Sequence, residues 1–197
     1  MSIPSGLEDI LQQNGGVFRS AEANAIGISN ERLRLLVKSG EIERTAFGVY
    51  IHPDDIPDKL YITQLRRPKA IYSHETALYL HELTDRDPLH YTVTVPRGYN
   101  IRHLREDSVV CSMVKRELHR LGAIQIETMF GHTVTAYGLE RTICDCIRSR
   151  NQMDITVVTD AVKRYAKRRD KDLNELMRLA EIFRIVKPLR SYLEVLL

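Results

Sequence analysis

Within the first 52 residues the spacing of apolar side chains changes from helical to alternating. That change limits the folds open to this chain more than any other feature. Leu7, Ile10 and Leu11 recur at helical intervals until Asn14, Gly15 and Gly16 stop the run. Val17 and Phe18 suit a short strand. Ser20 is placed to cap an alanine-rich helix ending at Gly27. Ser29 is placed to cap a third helix that carries Leu33, Leu36 and Val37 on one face and stops at Gly40. From Ile42 to Ile51 the period is two, around a turn near Ala46, Phe47 and Gly48. Helix, short strand, helix, tight turn, helix and hairpin is the order of a winged helix-turn-helix, predicted here over residues 1–52.

His52 to Asp58 holds two prolines and three aspartates in seven residues, which suits a boundary rather than an element. Beyond it, residues 59–197 read as a larger α+β domain. Asp58 to Arg66 looks helical, Ala70 to Tyr72 strand-like, and Ser73 caps a helix carrying Ala77, Leu78, Leu80 and Leu83. Tyr91 to Val95, Val109 to Val114, Ile124 to Thr128 and Thr133 to Ala136 are strand candidates, rich in β-branched residues. From Leu139 onward the strand signal gives way to four helical runs, near 139–149, 154–168, 172–184 and 188–197, so the fold is expected to close as a helical layer.

Composition narrows the classes of function. With 43% hydrophobic and 28% charged residues the chain has the make-up of a folded soluble protein. Its three cysteines, Cys111, Cys144 and Cys146, make a poor disulfide framework and point to a reducing compartment. No apolar run is long enough for a spanning helix, and Met1 to Asp9 lacks the pattern of a secretory signal, so no membrane association and a cytoplasmic location are expected. The net charge of +3 neither requires nor forbids a nucleic-acid partner, and residues 1–52 carry five basic and six acidic side chains.

A helix-turn-helix offers its second helix to the major groove, where base edges differ in donor and acceptor pattern. With Leu33, Leu36 and Val37 turned inward, Asn30, Arg34 and Lys38 are left on the outer faces, flanked by Glu31 and Arg32. Asparagine suits adenine and arginine suits guanine, whereas lysine and the Ser29 hydroxyl more often meet phosphate. Arg44, Thr45 and Phe47 fall near the hairpin tip, where a wing meets the backbone or the adjacent minor groove. The bland reading of such a helix is a solvated face. The order of elements favours DNA, as does the placement of four of the five basic residues on the third helix and wing. So few charges imply few phosphate contacts per copy, hence two copies on paired half-sites.

Val17-Phe18-x-Ser20, Leu36-Val37-Lys38-Ser39-Gly40, Ile42-Glu43-Arg44 and Gly48-Val49-Tyr50 resemble the N-terminal winged-helix domain of AbiEi-type antitoxins from abortive-infection toxin–antitoxin systems. Tyr72 to Leu78, Leu83-Thr84-Asp85, Thr92 to Gly98 and Tyr137 to Thr142 resemble that family's downstream antitoxin domain in the same order, so the resemblance runs from about residue 5 to about residue 185. It implies a phage-defence regulator that represses its own operon by binding inverted repeats in double-stranded operator DNA. It also implies neutralisation of a co-encoded nucleotidyltransferase-like toxin by the second domain, without a stable complex between the two proteins. No base-contacting residue is carried over from the family; Asn30, Arg32 and Arg34 rest on helix geometry alone.

The second domain offers few residues for chemistry of its own. His74-Glu75 recurs as His81-Glu82, but a seven-residue spacing is not the four-residue spacing by which two histidines grip one metal. No metal ligand, catalytic residue or cofactor is assigned. Cys144 and Cys146 lie in an apolar helical pattern that suits buried free thiols. Glu127 and Asp145 are the carboxylates on which an alternative would rest, a metal-dependent nuclease or other nucleic-acid-modifying enzyme targeted by the winged helix. Lys163, Arg164, Lys167 and Arg168 form a basic stripe opposite Ile155, Val158, Val162 and Tyr165. Arg97, Arg102, His103 and Arg105 form a second basic cluster, so both groups are candidate phosphate contacts.

Overall fold

The N-terminal runs fold in the predicted order: α1 (Ser5–Gln13), β1 (Val17–Arg19), α2 (Ser20–Ala25), α3 (Asn30–Lys38), β2 (Glu43–Ala46) and β3 (Val49–Ile51). The computed structural model describes residues 2–194. Its first sheet has the order β1-β3-β2, antiparallel throughout. Leu7, Leu11, Phe18, Leu33, Leu36 and Ile42 meet in one core, with Phe18 stacked on Tyr50 at 5.3 Å. Burying Leu33 and Leu36 contributes about 1.5–3 kcal/mol each, which fixes the face that α3 turns inward.

Ser20 is not a cap. Its N–H donates to the Gly48 carbonyl at 2.9 Å, continuing the strand pairing, and Arg19 takes the cap position. Glu22 accepts the Arg19 N–H at 2.7 Å and its guanidinium at 3.0 Å. Ser29 does cap α3, its Oγ accepting the Arg32 N–H at 3.2 Å.

The chain divides into two compact units after Leu65, with Met129–His132 belonging to the first. Asp58 accepts the Tyr61 N–H at 3.1 Å and opens α4 (Lys59–Arg66). In the same unit His132 lies 3.0 Å from Asp58 Oδ2 through Nδ1 and 3.0 Å from the Gly15 carbonyl through Nε2, and it stacks on Tyr61 at 4.2 Å. One imidazole thus joins three stretches of sequence, a role that no local pattern around His132 announces.

The second unit contains β4 (Ile71–Tyr72), α5 (His74–Leu80), β5 (Thr92–Pro96), α6 (Arg102–Glu106), β6 (Val110–Val114), β7 (Ala123–Glu127) and β8 (Thr133–Tyr137). These five strands form a mixed sheet of order β6-β5-β4-β8-β7. The helices α7 (Leu139–Arg148), α8 (Ile155–Lys167), α9 (Leu173–Ile182) and α10 (Val186–Glu194) follow as the expected helical layer; residues 195–197 of the last predicted run lie outside the described residues. Ser73 stands at the N-terminus of α5 without capping it. Its Oγ is occupied by His74 and by the Thr94 hydroxyl, each at 2.9 Å, and the Thr76 N–H donates instead to Thr92 Oγ1 at 2.9 Å. A neighbouring strand therefore supplies the acceptor that the local serine withholds.

Leu78, Ile143, Ile147, Val158, Val162, Tyr165, Leu176 and Leu189 form the helical core. Cys144 and Cys146 are buried free thiols within it, and burial pushes the Cys144 thiol up to about 12, which keeps it protonated and unreactive. Arg141 and Asp145 pair at 3.0 Å with no accessible surface. The Arg141 guanidinium lies 4.0 Å from the Tyr137 ring and 4.3 Å from the Phe183 ring, and donates to the Leu118 and Leu121 carbonyls. Among the described residues no helix is long and apolar enough to cross a membrane.

Candidate nucleic-acid interface

Because Leu33 and Leu36 anchor α3 from below, its outer face carries Asn30, Glu31, Arg34 and Lys38 into solvent. Asn30 Oδ1 accepts from Asn24 Nδ2 at 3.4 Å, a weak contact that leaves the rest of its amide available. Arg34 donates to Glu31 from Nε at 3.1 Å and from Nη2 at 2.8 Å, yet 71% of its side chain remains accessible. The guanidinium holds the Glu31 carboxyl below its usual range through those hydrogen bonds. Such an exposed pair exchanges readily for another acceptor.

The hairpin completes the surface. Between Arg44 and Ala46 the register of β2 against β3 shifts, which leaves Thr45 as a bulge and bends the tip. Gly48 turns the chain at φ +70°, in the left-handed region, and a Cβ there would stand 3.1 Å from Ser20 Oγ. Arg44 lies over the Phe47 ring at 5.1 Å, and Phe47 is 81% exposed, a large apolar cost for a residue with no burial to offset it. Asn30 and Arg34 from the helix, Arg44 and Phe47 from the hairpin, and Tyr50 beneath them line one cleft of about 390 Å³. Four of the residues singled out from sequence are thereby brought together. Ser29 Oγ accepts the cap hydrogen bond, which leaves its O–H to donate, and Lys38 sits in the last turn of α3; both lie outside the cleft lining. Arg32 is half-buried. The meeting of helix and wing around a single cleft depends on pairing between residues distant in sequence, so local spacing did not signal it.

Residues 7–51 match the family model described as "Transcriptional regulator, AbiEi antitoxin". This is the stretch from the first helix to the end of the hairpin, so the cleft is built entirely from it. No curated protein matches the chain. Among solved structures, the crystal structure of the Rv2827c protein from Mycobacterium tuberculosis is similar, with a TM-score of 0.63 at 12% identity, covering 91% of this chain and 72% of that one. At that identity the likeness is one of fold, and it reaches well beyond the AbiEi-like segment.

In the second unit the basic stripe of α8 is partly offset. Arg164 grips Asp85 through two hydrogen bonds, one of 2.9 Å. Arg168 donates to Asp170 at 2.8 and 2.7 Å and to the His81 carbonyl at 3.1 Å, which holds the Asp170 carboxyl down at about 2. Lys163 stands 4.0 Å from Asp160, and Lys167 is exposed. Arg102 and His103 of the second cluster both pair with Glu106.

His74 and His81 serve packing. His74 lies 3.0 Å from Ser149 Oγ, and His81 Nε2–H donates to the Tyr137 carbonyl at 2.7 Å. Asp145, one of the two carboxylates on which an enzyme reading would rest, is committed to Arg141 and Arg148, whereas Glu127 is exposed at the end of β7. A metal shared by the two would require Asp145 to give up both arginines.

Proposed function

We propose that this chain is an antitoxin and transcriptional autorepressor of a toxin–antitoxin system. In this reading residues 1–52 bind double-stranded operator DNA and residues 59–197 neutralise a co-encoded nucleotidyltransferase-like toxin without forming a stable complex with it. The observation that carries the proposal is the cleft where Asn30 and Arg34 of α3 meet Arg44 and Phe47 of the hairpin, inside the segment that matches the AbiEi regulator model. In the proposed docking α3 lies in the major groove, and Asn30, Arg32 and Arg34 face base edges. Ser29 and Lys38 hold phosphates, while Arg44, Thr45 and Phe47 follow the backbone into the neighbouring minor groove.

The first 52 residues carry more acidic than basic side chains, so one copy makes few phosphate contacts and two copies on inverted repeats supply the rest. Lys163, Arg164, Lys167 and Arg168 are proposed as auxiliary phosphate contacts, in which DNA replaces the aspartates now paired with the two arginines. The protein acts in the cytoplasm, uses no cofactor and performs no catalysis in this reading.

The test is fluorescence anisotropy of the full chain with DNA from upstream of its own reading frame, together with growth assays in cells expressing the adjacent frame. Specific binding to an inverted repeat and restored growth are expected, with Asn30→Ala/Arg34→Ala losing repression while still protecting. Equal affinity for upstream and random DNA would overturn the repressor assignment, and failure to protect would overturn the antitoxin assignment.

A further inference from the structure

A cavity of about 780 Å³ in the second unit is of the size that takes a drug-sized ligand. Four cationic side chains line it: Arg97 after β5, Lys115 after β6, Arg148 at the end of α7 and Arg184 after α9. No carboxylate does. The four come from segments far apart in sequence, so their convergence is a product of the tertiary fold.

Like charges gathered in one cavity repel unless an anion joins them. The nearby carboxylates do not remove that excess. Arg148 lies 3.1 Å from Asp145, but Asp145 is already paired with Arg141 at 3.0 Å, so the three groups together keep a positive charge. Lys115 is 3.9 Å from Glu117, with both side chains more than half exposed, a geometry that screens weakly and contributes little. Arg97 and Arg184 have no ion pair among the described residues.

Arg184 adds a second observation. It follows α9 at φ +56°, where its N–H donates to the Glu181 carbonyl and the next N–H, of Ile185, reaches back to Ala180. That left-handed position after a helix favours glycine or asparagine, and arginine there stores strain. The strained residue is one that puts a guanidinium into the cavity lining. The rest of the lining is also suited to a ligand with more than phosphate to offer: Ser149, Asn151 and Gln152 provide neutral hydrogen-bonding groups, and Met113 and Ile182 present exposed apolar surface, at 43% and 37%.

We infer that this cavity is a binding site for a nucleoside polyphosphate, its phosphates held by Arg97, Lys115, Arg148 and Arg184 and its nucleoside by the neutral and apolar lining. Every residue that lines the cavity belongs to the second unit, so the inference does not depend on DNA binding by the first.

Isothermal titration of the full chain with ATP, inorganic triphosphate and adenosine tests it. ATP is expected to bind one per chain in the micromolar range, triphosphate more weakly, and adenosine not at all. Arg97→Glu/Lys115→Glu should weaken ATP at least about tenfold with an unchanged circular dichroism spectrum. Arg184→Gly separates a binding role from a structural one: relief of strain should hold or raise the melting temperature while ATP affinity falls about fivefold. The inference is overturned if ATP does not bind, if adenosine binds as well as ATP, or if both variants keep full affinity. Displacement of ATP by a single-stranded oligonucleotide at equal phosphate concentration would reassign the cavity to nucleic acid and overturn it as well.

Discussion

Glu31 holds the Arg34 guanidinium by two hydrogen bonds on the exposed side of α3, one helical turn from the capped N-terminus. The side chain best suited to read guanine is therefore already engaged by a carboxylate that DNA phosphates would repel. In the proposed docking Arg34 would exchange one acceptor for another.

Glu31→Gln should accordingly strengthen binding to all DNA sequences by a few-fold, because it removes a negative charge from the face without removing the reader. Arg34→Ala should weaken operator binding by about tenfold or more and relax preference at one base pair, whereas Lys38→Ala should weaken operator and random DNA alike. Anisotropy titrations on both DNAs check this. Equal loss on the two DNAs for Arg34→Ala would place that residue on phosphate.

Phe47 is exposed and supports no core, so Phe47→Ala should leave stability within about 0.5 kcal/mol while lowering DNA affinity. Gly48→Ala should lower stability and DNA affinity together. Its left-handed φ and the approach to Ser20 Oγ make a Cβ costly by about 1–2 kcal/mol, and the displaced hairpin should bind DNA less well. Urea unfolding monitored beside anisotropy distinguishes the two.

The Arg141–Asp145 pair is fully buried, and removing one member leaves a charge in the interior. Arg141→Met should destabilise the chain by about 3–5 kcal/mol in urea unfolding. The double change Arg141→Met/Asp145→Leu should recover part of that loss, since it no longer strands a carboxylate. A double variant as unstable as the single one would show that the cation over Tyr137 and Phe183, rather than the ion pair, is what the fold requires.

Burial lowers the pKa of His74, His81 and His119 below the ordinary 6.5, because a buried imidazolium loses its hydration. The unfolded chain therefore binds protons more readily than the folded one. The stability that these histidines provide is complete above 6.5 and is lost as pH falls from there through their folded values. The urea midpoint should drop between about pH 7.5 and about pH 5.5. His81→Gln, which can still donate to the Tyr137 carbonyl, should make that drop shallower. An unchanged slope would show that His81 is not among the groups that titrate on unfolding.

Much of the N-terminal fold was legible because its signals are local. The Leu33 and Leu36 spacing, the Ser29 cap and the period-two run to Ile51 each act over a few residues and survive in the structure. Ser20 and Ser73 look as good as Ser29 on paper, yet neither caps. Strand pairing carries Ser20 into the hairpin, and Thr92 reaches Thr76 before Ser73 can. The short helix α6 and the tie of His132 to Asp58 also went unread, the first for want of length and the second because its partners are 74 residues apart.

The amino-acid order by itself determined the succession of the N-terminal elements, the outward face of α3 and the burial of Cys144 and Cys146, since periodicity, capping and apolar patterning are properties of neighbours along the chain. Tertiary structure alone decided which charges remain available. It set Asp85 against Arg164 from 79 residues away, and it brought Arg97, Lys115, Arg148 and Arg184 around one cavity. Electrostatic energy depends on distance through space and on burial, and neither quantity is written in the spacing of residues.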